Sequence, residues 1–84
     1  MEGDLQRQLG QSLRTRRRAR GLSQEAFADL IGVHRTYMGG LERGERNVTL
    51  RTIERLADHL GIDAVELLLN EPSPLPADLT RQGA

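Results

Sequence analysis

The sequence predicts an all-α domain, a compact bundle of five helices. Apolar residues recur every three or four positions along successive stretches, the spacing that places them on one face of a helix. Ser or Thr precedes two of these stretches and glycine follows three of them, as is typical of helix starts and ends. The 84 residues include no cysteine, so we expect one small domain without disulfides or thiolate metal ligands.

The first helix is predicted to run from about Asp4 to Ala19. Leu5, Leu9 and Leu13 are spaced by four and form a stripe that should face the core. Arg17 occupies the next place on this stripe. Because an unpaired buried ion is strongly destabilising, Arg17 at that place needs a partner.

Two short helices are predicted within the stretch GLSQEAFADLIGVHRTYMGGLERG, over about residues 24–31 and 35–43. Ser23 can cap the first of them, and Gly32 and Gly44 are suited to end the two helices. Two short helices joined by a tight glycine turn form a helix-turn-helix unit. The apolar residues expected to face the core are Phe27, Leu30, Ile31, Met38 and Leu41.

Thr49 can cap a fourth helix, about Leu50–Leu60, with Gly61 as its stop. A fifth helix is predicted over about residues 64–70. Its apolar residues point in more directions than one small core can bury. We therefore expect it to present a dimer interface; the residues assigned to it are Val65, Leu68 and Leu69. Residues 1–70 form the predicted domain, and residues 71–84, with three prolines, are predicted to be an extended, disordered tail.

The segments LSQEAFADLIGVHRTYMGGLERGERN and LRTIERLADHLGI resemble the lambda repressor and Cro class of regulators, the XRE family. Within that class, the chain is most similar to the controller proteins of restriction–modification systems. The resemblance covers about residues 12–69. It implies a lambda repressor-like DNA-binding domain, and it supplies Glu42 as the partner of Arg17 in a structural ion pair.

The charge of the chain is unevenly distributed although its net value is zero. Residues 12–20 hold five arginines and no acid, whereas residues 52–84 hold two arginines and six acidic residues. A phosphate backbone responds to local charge, so the basic segment favours binding to nucleic acid. We expect Arg14, Arg18 and Arg20 to contact the DNA backbone; the alternative is an ordinary solvated helix face.

In a helix-turn-helix, the second helix lies in the major groove and its first residues meet base edges. At about 100° per residue, Thr36, Gly39 and Gly40 should face away from the core, with Arg35 beside them. Arg35 suits a guanine and Thr36 can use its hydroxyl or methyl group, so both are predicted to read bases. The alternative for Arg35 is an ordinary surface charge. The two glycines could allow a close approach to DNA, or glycine could simply be tolerated at these exposed positions.

The resemblance adds Tyr37 and Arg46 as base-reading residues, and Gln24 and Asn47 as contacts to the DNA backbone. The alternatives are a core-edge position for Tyr37 and an ordinary loop charge for Arg46. His34 stands where the family usually has Asp, Ser or Thr as a helix cap. Because histidine caps poorly, we expect His34 to contact the DNA backbone instead; contact with a base is the alternative.

Taken together, these features predict a sequence-specific transcriptional regulator that binds double-stranded DNA as a homodimer. Two-fold symmetry predicts a pseudo-palindromic operator with half-sites about one helical turn, ~34 Å, apart. Control of a restriction–modification operon is one role, with RNA polymerase as a candidate partner; an antitoxin and a phage-type repressor are alternatives. A helical protein-interaction module without DNA binding is an alternative of another class, and the Arg35–Thr36 pair argues against it.

The sequence predicts that the protein is not an enzyme. Two histidines on different helices, without cysteine, make no recognisable zinc site, and neither a nucleophile elbow nor a glycine-rich phosphate loop is found. We therefore expect no metal, no cofactor and no small-molecule ligand. No secretory signal is recognised, and no apolar run approaches the ~18 residues of a membrane span. We expect a cytoplasmic, nucleoid-associated bacterial protein without a membrane partner.

Overall fold

The computed structural model describes residues 3–69, which form five α-helices. In chain order they are α1 (Asp4–Ala19), α2 (Gln24–Ile31), α3 (Arg35–Glu42), α4 (Leu50–Leu60) and α5 (Ala64–Leu69). The predicted all-α bundle is confirmed, and only the end of α3 comes one residue earlier than predicted. The predicted last residue of the fifth helix, Asn70, and the predicted tail lie outside the described residues.

Local hydrogen bonds explain why the helices begin and end at these residues. The Ser23 hydroxyl accepts from the backbone N–H of Ala26, and the Thr49 hydroxyl accepts from that of Thr52, both at 3.1 Å. These contacts satisfy amides that have no partner inside the helix. Gly32 ends α2 in the left-handed conformation, with φ 77°, which a residue without a Cβ adopts readily. Both predicted caps therefore form.

The helices enclose one core. α1 packs on α3 and α5, α2 packs on α3 and α4, and α4 packs on α5. α1 and α2 thus pack against one side of α3, and its opposite side is available for contacts with a partner. Within residues 3–69, none of the helices has the length and apolar character needed to cross a lipid bilayer. The buried apolar residues are Leu9, Leu13, Phe27, Ala28, Ile31, Met38, Leu41, Ile53, Leu56, Ala57, Leu60 and Leu67.

Two leucines predicted to lie in the core are exposed, and for these the prediction is wrong. Leu30 is 41% exposed because Ala28 is buried instead, which turns the buried face of α2 away from Leu30. Leu5 is 66% exposed because it lies in the first turn of α1, where it lines an open groove of about 310 Å³. Leu50 and Leu68 also line this apolar groove.

Arg16, one residue of the basic segment, has a structural role. Its Nε donates to the buried hydroxyl of Ser12 at 3.2 Å, and its Nη2 donates to the backbone oxygen of Glu66 at 3.2 Å. The first bond satisfies a polar group that has no access to water, and the second joins α1 to α5. Part of the basic segment therefore stabilises the fold.

α1 passes so close to the end of α3 that only glycine fits between them. Gly10 is buried, and a Cβ added there would lie 2.4 Å from the backbone oxygen of Leu41 and 2.6 Å from that of Glu42. These oxygens belong to the helix backbone and cannot rotate away as a side chain can. The distance between α1 and α3 is therefore set by contact between two backbones.

We expect Gly10→Ala to destabilise the protein by about 2 kcal/mol or more, because its methyl group would push against the carbonyl groups of α3. Alanine is otherwise the better helix former by roughly 1 kcal/mol. A loss of stability would therefore reflect the contact with α3, whereas a gain would reflect helix propensity alone. Gly39→Ala is a matched control, since its Cβ would meet only the movable ends of side chains, Arg43 at 3.2 Å and Gln24 at 3.7 Å, and it should raise the melting temperature. Thermal unfolding at one protein concentration tests both; a Gly10→Ala variant as stable as the parent would contradict the close contact.

Candidate nucleic-acid interface

The exposed side of α3 begins at its first turn. The side chains of Arg35 and Thr36 are exposed, and with Gln24 and Glu25 they line an open cleft of about 530 Å³ between the start of α2 and α3. Arg35 Nη1 lies 3.2 Å from Glu25 Oε1, and both side chains are about two-thirds exposed. Exposed ion pairs contribute little to stability, so this guanidinium can exchange its partner at small cost.

Arg43 lines the same cleft, although sequence reasoning did not single it out. It follows Arg35 by eight residues and Gly39 by four, spacings that place it on the same side of the helix. That periodicity was the signal that could have found it. Arg43 Nε lies 3.1 Å from Glu45 Oε1, and both side chains are more than half exposed.

His34 caps α3, so the expectation that this histidine would cap poorly is wrong. Its Nδ1 accepts from the backbone N–H of Thr36 at 3.1 Å. A neutral imidazole that accepts at Nδ1 carries its proton on Nε2. The exposed ring therefore caps the helix with one nitrogen and presents an N–H donor with the other, immediately before Arg35.

Tyr37 lies at the edge of the core. Its half-buried ring packs against the core and lines a cleft with Val33 and Arg55. The guanidinium carbon of Arg46 lies 5.2 Å from the centroid of this ring, which is the geometry of a cation–π contact. The core-edge alternative thus describes where Tyr37 lies, and Arg46 is the exposed member of the pair.

Gly39 and Gly40 do not present a bare backbone to solvent, which corrects the expectation from the helical wheel. Both glycines are buried. Arg43 and Gln24 lie beside Gly39, and the side chain of Arg46 lies over Gly40. The reason is that long side chains from the last turn and the following loop fold back over α3, which a wheel of one helix cannot show.

The loop that carries Arg46 and Asn47 is tied to α1 by Gln6. The Gln6 side-chain amide donates to the backbone oxygen of Arg46 at 3.2 Å and also to Oδ1 of Asn47. Because the amide oxygen of Asn47 accepts from Gln6, its NH2 group is the part of this exposed side chain suited to meet a phosphate. Nothing in the sequence pointed to Gln6, since the contact spans some 40 residues.

Behind this surface, one buried carboxylate joins three helices. Glu42 Oε2 accepts from Arg17 Nε at 2.6 Å, and Oε1 accepts from Arg17 Nη2 at 3.1 Å and from the Gln24 amide at 3.0 Å. The side chain of Glu42 is fully buried and that of Arg17 is 14% exposed. Arg17 Nη1 also donates to the backbone oxygen of Leu22 at 3.0 Å. Arg17 therefore stabilises the fold with hydrogen bonds from all three nitrogens of its guanidinium group.

Burial raises the pKa of Glu42, but hydrogen bonds from Arg17 and Gln24 and the positive charge of Arg17 lower it by more. The net pKa of Glu42 is below its usual value, so this carboxylate is ionised at neutral pH. Its hydrogen bond in turn raises the pKa of Arg17, against the opposing effect of burial. The ion pair is therefore fully formed in the folded protein.

Four residues assigned to the DNA backbone divide into two groups. Gln24 donates to Glu42, and Arg14 Nε lies 3.4 Å from Glu42 with its side chain 44% exposed. Arg18 and Arg20 are exposed near the end of α1, where Arg20 donates to a backbone oxygen of the preceding turn at 3.2 Å. The structure therefore brings Gln24 and Arg14 to the buried carboxylate and leaves Arg18 and Arg20 on the surface.

The two helices α2 and α3, with their capped starts and glycine turn, have the geometry of a helix-turn-helix unit. A family model described as a helix-turn-helix domain matches residues 8–69. The chain belongs to this helix-turn-helix family. The predicted resemblance to the XRE class is thereby confirmed, and α3 is the second helix of the unit.

Several relatives of this helix-turn-helix protein are controller proteins. Control protein C.SmaI of Serratia marcescens is 43% identical over 68 residues, which cover 81% of each protein. Control protein C.BamHI of Bacillus amyloliquefaciens is 38% identical over 69 residues, 81% of this chain and 85% of that protein. The crystal structure of the restriction-modification controller protein C.AhdI from Aeromonas hydrophila matches with a TM-score of 0.65 and 52% identity, over 74% of this chain and 94% of that one. The helix-turn-helix protein is therefore a transcriptional regulator of the controller type and not an enzyme.

We expect Arg17→Met to destabilise the fold by about 3–5 kcal/mol, because it leaves the buried charge of Glu42 without its main partner. Combining Arg17→Met with Glu42→Leu should recover much of the loss, since no charge then remains buried. Arg18→Met is a control on the exposed neighbour and should change stability by no more than about 0.5 kcal/mol. Urea unfolding measures all three variants. If Arg17→Met keeps its stability but loses DNA binding, Arg17 belongs to the phosphate contacts instead.

Proposed function

We propose that this regulator binds double-stranded DNA sequence-specifically, as a homodimer on a pseudo-palindromic operator. The observation that carries the proposal is the exposure of Arg35 and Thr36 at the first turn of α3, a helix whose opposite side is held by α1 and α2. The first turn of a recognition helix meets base edges in the major groove. The Arg35 guanidinium can donate to guanine O6 and N7, and Thr36 can use its hydroxyl or methyl group.

Residues around this turn would hold the DNA backbone. The Nε2–H of His34 and the NH2 group of Asn47 are donors on exposed side chains, and Arg18 and Arg20 add positive charge. Gln24 and Arg14 would exchange Glu42 for phosphate oxygens when DNA is bound. Such an exchange is inexpensive, because Arg17 by itself keeps two hydrogen bonds to the carboxylate.

Arg46 and Tyr37 would extend base reading beyond the first turn. Arg46 is exposed, carries a guanidinium suited to guanine, and follows α3 in the loop. Tyr37 is half-buried, so its ring would restrict the side chain of Arg46 to one position. Its hydroxyl would be available to DNA at the edge of α3. Arg43 is a further cation of the same cleft and would add a phosphate contact.

The homodimer would form through α5 and the end of α4. Val65 is 65% exposed and Leu69 is 51% exposed, although both are large apolar residues. Leu68 is half-buried and lines the apolar groove with Leu5 and Leu50. A small domain gains stability by covering such a surface with a second copy, and two-fold symmetry would set two α3 helices about one DNA turn, ~34 Å, apart.

We further propose that the regulator controls a restriction–modification operon, acting on the nucleoid in the bacterial cytoplasm. The similarity to C.SmaI, C.BamHI and C.AhdI supports this role. RNA polymerase would be the partner through which an operator-bound dimer changes transcription. Footprinting on the DNA upstream of its own gene would give the operator, and a methyltransferase gene and an endonuclease gene beside it are expected.

We expect Arg35→Ala to weaken binding to the cognate operator by about 1–3 kcal/mol and to relax the preference at one base pair. Arg18→Ala should instead weaken binding to all duplexes alike and make the salt dependence shallower, because it removes only a phosphate contact. Competition titrations with cognate and random duplexes separate the two effects. Equal losses on both duplexes for Arg35→Ala would rule out base reading by this side chain.

We expect Val65→Glu to weaken the dimer about tenfold or more, or at least ~1.4 kcal/mol, because two-fold symmetry places the added charge in the interface twice. Leu30→Glu is the matched control: Leu30 is an exposed leucine on α2 and should leave association unchanged. Sedimentation velocity over a range of concentrations measures both. A Val65→Glu variant that associates like the parent would place the dimer interface elsewhere.

A further inference from the structure

We propose that Gly40 is a positioning residue for DNA recognition: its missing side chain lets Arg46 lie across α3 and against Tyr37, ready to meet DNA. This inference rests on the proposed function, in which Arg46 contacts the operator, and it explains how that side chain is held. It also replaces close approach of DNA as the reason for a glycine at position 40.

The distances at Gly40 carry the argument. A Cβ built on Gly40 would lie 2.7 Å from Nε of Arg46, 3.1 Å from its Cγ and 3.4 Å from its Cδ. Three atoms of one side chain therefore occupy the space that any other residue at position 40 would need. Gly40 is buried in the recognition helix because Arg46 covers it.

Tyr37 forms the second wall of this seat. It precedes Gly40 by three residues, so the two lie one turn apart on neighbouring positions of α3. The ring packs against the core, and the guanidinium carbon of Arg46 lies 5.2 Å from its centroid. Arg46 therefore rests on Gly40 with its stem and beside Tyr37 with its charged group.

The backbone of Arg46 is fixed as well. The Gln6 amide of α1 donates to its carbonyl oxygen at 3.2 Å. A free arginine side chain has many rotamers, and ordering it at the moment of binding opposes association. With the backbone tied to α1 and the side chain seated on α3, much of that ordering is already present before DNA arrives.

A methyl group at position 40 would displace Arg46 without unfolding the helix. The atoms it meets belong to a flexible side chain, unlike the backbone oxygens that face Gly10. Alanine also favours the helix more than glycine does. Gly40→Ala should therefore keep or raise the melting temperature of the free protein while it removes the seat of Arg46.

The first test uses the protein without DNA. Tyr37 is the only tyrosine, and the chain has no tryptophan and one phenylalanine, so its ring protons are readily assigned by NMR. We expect nuclear Overhauser effects between the Tyr37 ring and the Arg46 side chain in the parent protein, and their loss in Gly40→Ala. Gly39→Ala is the matched control, because its Cβ would meet Arg43 and not Arg46. Contacts that persist in Gly40→Ala, or that are missing in the parent, would overturn the proposal whatever the DNA does.

The second test is a double-mutant cycle on the operator. We expect Gly40→Ala to weaken binding about two- to fivefold, the size of one exposed cation–π contact. In an Arg46→Ala background, Gly40→Ala should cause no further loss. The same loss in both backgrounds would mean that the glycine acts on DNA directly, as close approach requires, and the proposal would be wrong.

The cycle also separates this inference from the proposed function. If Arg46→Ala binds the operator like the parent protein while Arg35→Ala does not, operator binding by α3 stands and the positioning role of Gly40 is overturned. If the protein binds all duplexes with equal affinity and neither variant changes that affinity, the proposed sequence-specific function fails. The NMR contacts then still report whether Gly40 positions Arg46.

Discussion

The buried carboxylate of Glu42 is the interaction on which this structure depends most. It is contributed by the last residue of α3 and accepts from Arg17 on α1 and Gln24 on α2. Burial by itself raises the pKa of this carboxyl group, and the hydrogen bonds from its neighbours together with the charge of Arg17 reverse that effect. Together with the backbone contact at Gly10, this pairing fixes where the end of α3 lies. The orientation of the exposed first turn follows from that anchor.

Local chemistry made the helices predictable from the sequence. Ser23, Thr49 and the glycine stops act within one or two turns of themselves, so their effects can be read without knowing the fold. Failures came where the answer depends on a neighbour distant in sequence. Within residues 3–69, Leu5 is exposed because it borders an open groove with Leu50 and Leu68, and Gly40 is buried because a loop residue crosses it. His34 differs, since its capping bond is local: Nδ1 of its ring accepts from the backbone N–H two residues further on, although histidine is not among the preferred caps.

The candidate site shows how a chain with no net charge can offer cations to a polyanion. Arg35 is paired with Glu25, and Arg43 with Glu45, and all four side chains are more than half exposed. Water and salt screen such pairs, so they hold the guanidinium groups near the cleft without tying them strongly. A phosphate or a guanine edge could replace either glutamate at little cost. The two carboxylates thus offset the charges of Arg35 and Arg43 in the free protein, and in the proposed complex they would yield to a stronger partner.

The backbone contact at Gly10 has a consequence for how such a regulator can diverge over evolution. The spacing of α1 and α3 is set by main-chain atoms and the end of α3 by a buried ion pair, so neither depends on which side chains occupy the first turn. Arg35 and Thr36 support no part of the core. Substitutions there can accumulate without loss of the folded state, and with base reading by this turn as proposed, duplicated copies of the gene would acquire new operators while the scaffold is conserved.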